Sequence, residues 1–196
     1  MQENLTQRQK NQRETWNAIH EAAYSLVVHH KSPTVTVEEI AAAAGVSRRT
    51  FFNYFPTKED AILGTKLPDV TDEIVKSYTR SEADELTRVV HLFLTVLRTS
   101  LPGEGMARRK VAVQAMPSLR TRLGHLLSEI EHLVREVLLT SHSDLSSDDE
   151  DLDVLLLLAM SITRHAMARY QDENREIEPL LTHSIAAFRK VVDQTR

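Results

Sequence analysis

The chain contains no cysteine. That absence removes disulfides, thiolate nucleophiles and cysteine-ligated zinc from the available chemistry, and it fits an intracellular, cytoplasmic protein. Glycine is scarce, five in 196 residues, and the glycines do not cluster as a phosphate-cradling loop requires. No HExxH pair, GxSxG turn or CxxC pair occurs either, so an enzyme is not expected and no cofactor is implied. Long apolar runs are missing too. The longest, residues 154–160, is far below the roughly 18 needed to suggest a membrane span, and no charged start followed by an apolar run marks a signal peptide.

Positive charge is not in excess. The formal net charge is −4, which by itself argues against a nucleic-acid binder, because phosphate neutralisation drives that affinity. Its distribution weakens the objection. Residues 1–66 carry eight Lys/Arg against seven Asp/Glu, whereas the remainder carries sixteen against twenty-one. The basic groups of interest are local: Arg8, Lys10 and Arg13 near the N-terminus, then Arg48, Arg49 and Lys58. An acidic body would help to keep the rest of the protein off DNA.

What is present is helix, from end to end. Trp16, Ile19, Ala23, Leu26 and Val27 recur at helical spacing and predict a first helix from about residue 8 or 13 to 30, ended by Ser32 and Pro33. Thr36 with Glu39 reads as a capping box, in which hydroxyl and carboxylate satisfy amides at a helix start. Residues 40–44 are small and apolar. Gly45 then stops the helix, because glycine enters the left-handed region without a Cβ penalty, and Ser47 caps a second helix. Helix, short turn and helix with alanines at the crossing make a helix-turn-helix unit.

On that second helix Arg48, Arg49, Phe52 and Asn53 share one face, and Phe51 and Phe55 another. One face packs inward while the other meets a partner. Arginine can chelate guanine, asparagine can read adenine and an apolar ring can touch a thymine methyl, which suits the DNA major groove. Tyr54 and Lys58 are placed to reach phosphates. The candidate DNA-binding set is therefore Thr36, Ser47, Arg48, Arg49, Thr50, Phe52, Asn53, Tyr54 and Lys58.

The run VEEIAAAAGVSRRTFFNYFPTKEDAIL resembles the DNA-binding domain of TetR-family transcriptional regulators, whose pattern is an alanine-glycine-valine-serine turn, an aromatic pair, then YF, a short polar gap, K and E. With the preceding helix the likeness spans roughly residues 13–66. The resemblance implies a homodimer that places two reading helices on a near-palindromic operator, and a C-terminal helical domain whose small-molecule effector releases the DNA. It also implies that the helix opened by Pro56 and Thr57 links the two domains, and that the last two long helices form the dimer interface.

Domains are accordingly expected at residues 1–56, DNA-binding, and 57–196, ligand-binding and dimerisation, in an all-α fold of about nine helices. Beyond residue 70 five helices are predicted. Ser81 is expected to cap the first, a central helix carrying Leu86, Val89, Val90, Phe93, Val96 and Leu97. A shorter one spans about 106–115, and Pro117 is expected to open a long amphipathic one. Residues 151–172 form a helix so apolar from Val154 to Ile162 that it should be buried all round, in part by a second subunit. The last starts near Pro179.

Metal sites are not expected. His29 and His30 point apart, His125 and His132 are too far apart to chelate one ion, and the acidic segment 141–151 lacks the glycine and terminal glutamate of a calcium loop. A pocket between helices is expected to draw on Phe93, Met106, Gln114, Met116, Met160, Thr163 and His165. The stretch SITRHAMARY resembles the ligand domains of actinobacterial regulators of acyl-CoA-like or other lipophilic molecules. The function expected is thus a ligand-released repressor. The alternatives are an activator of the same family, or a helical scaffold or adaptor that uses the same surface to hold an acidic protein.

Overall fold

A computed structural model describes residues 6–29, 34–102, 105–142, 149–170 and 177–194. Among them every regular element is helical: α1 Gln7–Val28, α2 Val37–Ala43, α3 Arg48–Tyr54, α4 Lys58–Leu63, α5 Asp72–Arg80, α6 Glu85–Ser100, α7 Met106–Ala115, α8 Leu119–Ser141, α9 Glu150–Arg169 and α10 Ile177–Gln194. Ten helices therefore replace the expected nine. The additional one is α5, whose N-cap Thr71 accepts from the Ile74 amide and whose first turn carries Asp72 and Glu73. Such carboxylates favour the positive end of a helix. Ser81 consequently ends α5, and Asp84 caps α6 by accepting from the Thr87 amide. The expectations for His30, Ser32 and Pro33 and for the centre of segment 141–151 fall outside the described residues.

The chain forms two compact units. The first comprises Met1–Lys66 and Arg108–Leu123, and the second Leu67–Ala107 and Gly124–Arg196. The core of the first joins Ile19, Ala23, Tyr24 and Val27 of α1 to Ile40 and Ala41 of α2, Phe51 of α3 and the adjoining Phe55, and Ala61, Ile62 and Leu63 of α4. Ala112, Met116 and Leu119 complete it. Trp16 lies half-buried against it, its ring 5.3 Å from that of Phe55.

In the second unit α6 packs on α5 and α9, and α9 on α10. The α6 side chains Val89, Val90, Phe93, Val96 and Leu97 are buried, as their spacing predicts. Arg135 of α8 reaches Asp153 of α9 at 2.7 Å, and the Tyr78 hydroxyl of α5 donates to Glu85 at 2.6 Å and lies 2.9 Å from His142 Nε2. Within the single chain α9 leaves Val154 and Leu157 52% and 54% exposed, and the expected cover there is a second subunit. A helix packed on two neighbours still presents a third face. No described helix is long and apolar enough to cross a membrane.

Candidate nucleic-acid interface

The turn between α2 and α3 is set by hydrogen bonds that only one backbone geometry allows. The Val46 amide donates to Ala41 O at 2.9 Å and the Gly45 amide to Ala42 O at 3.2 Å, with Gly45 at φ +67°. These two bonds form a Schellman motif, whose left-handed residue is glycine because other side chains are strained there. Nothing lies within 4 Å of a Cβ built on Gly45. Conformation, not space, demands glycine at this point.

Both helices are capped by their own side chains. Thr36 Oγ1 accepts from the Glu39 amide at 3.3 Å, while Glu39 Oε2 accepts from the Thr36 amide at 2.8 Å and from its hydroxyl at 2.9 Å. Those bonds hold the Glu39 carboxyl below its ordinary range. Ser47 Oγ accepts from the Thr50 amide at 3.0 Å and lies 2.8 Å from the Thr50 hydroxyl. The hydroxyls of Thr36, Ser47 and Thr50, counted in the DNA-binding set, are thus engaged in building the helix starts.

α3 sorts its residues as the spacing predicts. Phe51 and Phe55 are fully buried, whereas Arg48, Arg49, Phe52 and Asn53 are exposed and Tyr54 is half-buried. Phe52, 46% exposed, stands edge-on to Phe51 with ring centroids 5.3 Å apart. Arg48 lies over the Phe52 ring at 5.6 Å, and its Nε lies 3.3 Å from Glu38 of α2. Arg49 makes no ion pair among the described residues. A short helix with its aromatic face in the core and two guanidiniums, an amide and a ring outside has the donor set of a base-reading helix.

Residues 19–63 match the model for bacterial regulatory proteins of the tetR family. That segment, α1 from Ile19 through α4, is a tetR-type DNA-binding domain by this match. A crystal structure of a TetR transcriptional regulator from Rhodococcus sp. RHA1 is similar over 91% of this chain and 94% of its own, at 19% identity and a TM-score of 0.38. No curated protein matches the sequence.

Within the first unit α4 is tied down by charged groups remote in sequence. Asp60, 2% exposed, accepts from Thr57 Oγ1 at 2.6 Å, from Thr65 Oγ1 at 2.7 Å and from Arg122 Nε at 2.7 Å. Buried Arg109 donates from Nε to Leu63 O at 2.9 Å, placing a cation at the carbonyl end of α4, where the helix dipole favours one. Arg108 forms a two-pronged pair with Glu21 of α1 at 2.6 and 2.8 Å and lies 4.1 Å from the centre of the Tyr24 ring. That pair holds the Glu21 carboxyl below its ordinary range. No local motif marks the three arginines, because the partners named for each lie tens of residues away.

Lys58, read as a phosphate contact, donates from Nζ to Val35 O at 2.9 Å. Its ammonium therefore pins the segment before α2. Lys58→Met is expected to lower the unfolding free energy by roughly 1–2 kcal/mol in a urea titration, since a partly buried carbonyl loses a charged donor. The slope of DNA affinity against salt measures the other role, and an unchanged slope would remove Lys58 from the phosphate contacts.

His20 is a second structural charge site that the sequence does not announce. Its Nδ1 lies 2.7 Å from Ala61 O, so the neutral ring is the tautomer that donates from Nδ1. The ring packs so closely under Gly64, at φ +62°, that an added Cβ would meet it at 2.7 Å. Burial lowers the His20 pKa from its ordinary 6.5, with the nearby Arg108 and Arg109 adding to the effect and the bond to Ala61 opposing it. The neutral ring is the folded form. The stability it contributes is complete above the unfolded value and is lost as pH falls through the depressed folded value. The thermal midpoint is expected to drop more steeply below pH 6.5 in the wild type than in His20→Gln, and parallel pH profiles would refute this.

The seven residues expected around an effector are divided between the two units. Gln114 and Met116 belong to the first unit, where Gln114 is exposed and Met116 is part of the core. Met106, Phe93, Met160, Thr163 and His165 belong to the second. Phe93 and Thr163 are buried, the latter donating to Ala159 O at 2.8 Å. His165 is exposed and lies 2.9 Å from Ser184 Oγ. In the second unit an open groove of about 680 Å³ is lined by Thr87, His91, Thr182, Ile185, Ala186 and Arg189, with Lys190 beside them, and by none of the seven.

Proposed function

We propose that this protein is a cytoplasmic TetR-family repressor that binds a near-palindromic operator as a homodimer and is released by a small amphipathic effector of the lipophilic or acyl-CoA-like kind. The observation that carries the reading is the face of α3, where Arg48, Arg49, Phe52 and Asn53 stand outside while Phe51 on the other side of the same two turns is fully buried. A burial pattern of this kind holds a reading helix rigid while leaving its base-reading groups in solvent. Two such helices, about 34 to 36 Å apart, would enter successive major grooves.

The exposed apolar residues Val154 and Leu157 on α9 and Val191 and Val192 on α10 support dimerisation, because aliphatic side chains in such number are commonly covered by a partner. The groove that sets Ile185 and Ala186 among polar groups including Lys190 and Asp193 supports a small effector with an apolar body. Effector binding would lower operator affinity by the coupling free energy between the two sites. Footprinting of the DNA upstream of its own gene, at low ionic strength, tests the proposal. Protection of two half-sites about ten base pairs apart is the expected result, whereas a monomer in solution or the absence of any footprint would overturn it.

A further inference from the structure

An exposed ion pair on a DNA-reading surface needs a reason, because it neutralises a charge the phosphates would attract. Arg48 and Glu38 form such a pair at 3.3 Å, with side chains 67% and 63% exposed. Pairs this exposed contribute little to stability. The contact joins α2 to α3 across the turn, with Nε 3.3 Å from the carboxylate. Arg48 is simultaneously held from its other side by Phe52, which leans on the buried Phe51. Core, ring, guanidinium and carboxylate therefore form one chain of contacts around Arg48.

Resting on the reading that α3 faces DNA, we propose that Glu38 is a positioning residue for sequence recognition: its carboxylate steers Arg48 through Nε so that the Nη pair meets a guanine edge, and it cancels that cation toward phosphate. A guanidinium presents its donors in a fixed fork, so holding one edge orients the other toward the O6 and N7 acceptors of guanine. In non-specific complexes the same carboxylate removes one phosphate-binding cation per subunit. The neighbour Arg49 makes no ion pair among the described residues. Glu38 thus raises discrimination from two sides, by strengthening the correct contact and weakening the indiscriminate one.

The test uses the full-length protein, an operator chosen by the wild type from a pool of random-sequence duplexes, and a scrambled duplex of equal length. Glu38→Ala is expected to reduce the ratio of operator to scrambled affinity by roughly tenfold or more, the order of one good bidentate base contact. Its affinity for scrambled DNA should rise, with the salt slope steeper by about one to two units for a dimer that regains two cations. Glu38→Gln keeps an acceptor for Nε without the charge, so it should show the steeper slope with a smaller loss of discrimination. In an Arg48→Ala background, Glu38→Ala should change the ratio no further. An unchanged ratio and slope in Glu38→Ala, or an equal effect in the Arg48→Ala background, would overturn the proposal. Thermal midpoints matching the wild type separate this from damage to the fold. Failure of the wild type to select any sequence would instead overturn the DNA-binding reading itself.

Discussion

Arg49→Ala is expected to abolish most of the protein's preference for its operator while leaving the fold intact. Arg49 is exposed and makes no ion pair among the described residues, so its removal leaves no buried group unsatisfied and opens no cavity. A bidentate arginine contact to guanine contributes about 1–3 kcal/mol of discrimination. A dimer makes that contact twice, so the loss amounts to about 2–6 kcal/mol, at least roughly 30-fold in the ratio of operator to scrambled affinity. Affinity for scrambled DNA should fall far less, by the loss of two exposed cations. Titration of both duplexes at one fixed salt concentration measures it. Equal operator affinity for mutant and wild type would remove Arg49 from the reading set and leave Arg48 and Asn53 to carry it.

The largest expected effect on stability lies on α4. Replacing Asp60 by alanine takes from Arg122 the carboxylate 2.7 Å from its Nε, and takes from the Thr57 and Thr65 hydroxyls their acceptor. Removing one member of a buried ion pair costs about 3–5 kcal/mol, because the charge left behind has given up its hydration. Asp60→Asn keeps an acceptor and should lose less. Trp16, the only tryptophan, lies in the same unit, so its fluorescence in a urea titration follows the unfolding of that unit. A loss under about 1 kcal/mol for Asp60→Ala would mean that the pair is dispensable. Replacing Asp60 and Arg122 together by leucine and methionine should recover part of the loss, as apolar substitutes for buried pairs do.

These two experiments separate two jobs that the sequence compresses into one motif. Arg49 is exposed and makes no ion pair among the described residues. Asp60, eleven residues later, is buried away from the reading face and serves only to seat α4. The Thr57 hydroxyl caps α4 by accepting from the Asp60 amide at 3.1 Å and donates back to the same residue's carboxylate. A cap is local and is legible in the order T-K-E-D. The reach of Arg122 to that carboxylate is not.

The helix-turn-helix was legible because each of its parts is decided within four residues. Thr36 with Glu39, Gly45 and Ser47 satisfy backbone groups of their own turns, and the periodicity of 51, 52, 53 and 55 sorts aromatic from polar faces without reference to the rest of the chain. The all-helical class and most helix ends followed from the same local rules. α5 is not among the expected helices, although Thr71 stands before it as a proper cap. The exposure of Val154 and Leu157 was hidden by an uninterrupted apolar run, in which periodicity cannot tell an inner face from an outer one.

By itself the sequence determined the helices, the turn at Gly45, the cap at Ser47 and the outward face of Arg48, Arg49, Phe52 and Asn53, since these depend on dihedral preference and on hydrogen bonds between near neighbours. Only the tertiary structure decided that residues 108–123 belong with the first unit, that Lys58 is drawn to Val35 and Arg122 to Asp60, and that Glu38 holds Arg48. Those pairings join groups ten to sixty-two residues apart in the chain. Charge alone offers each of them many partners, and the packing of apolar faces selects which one comes within reach.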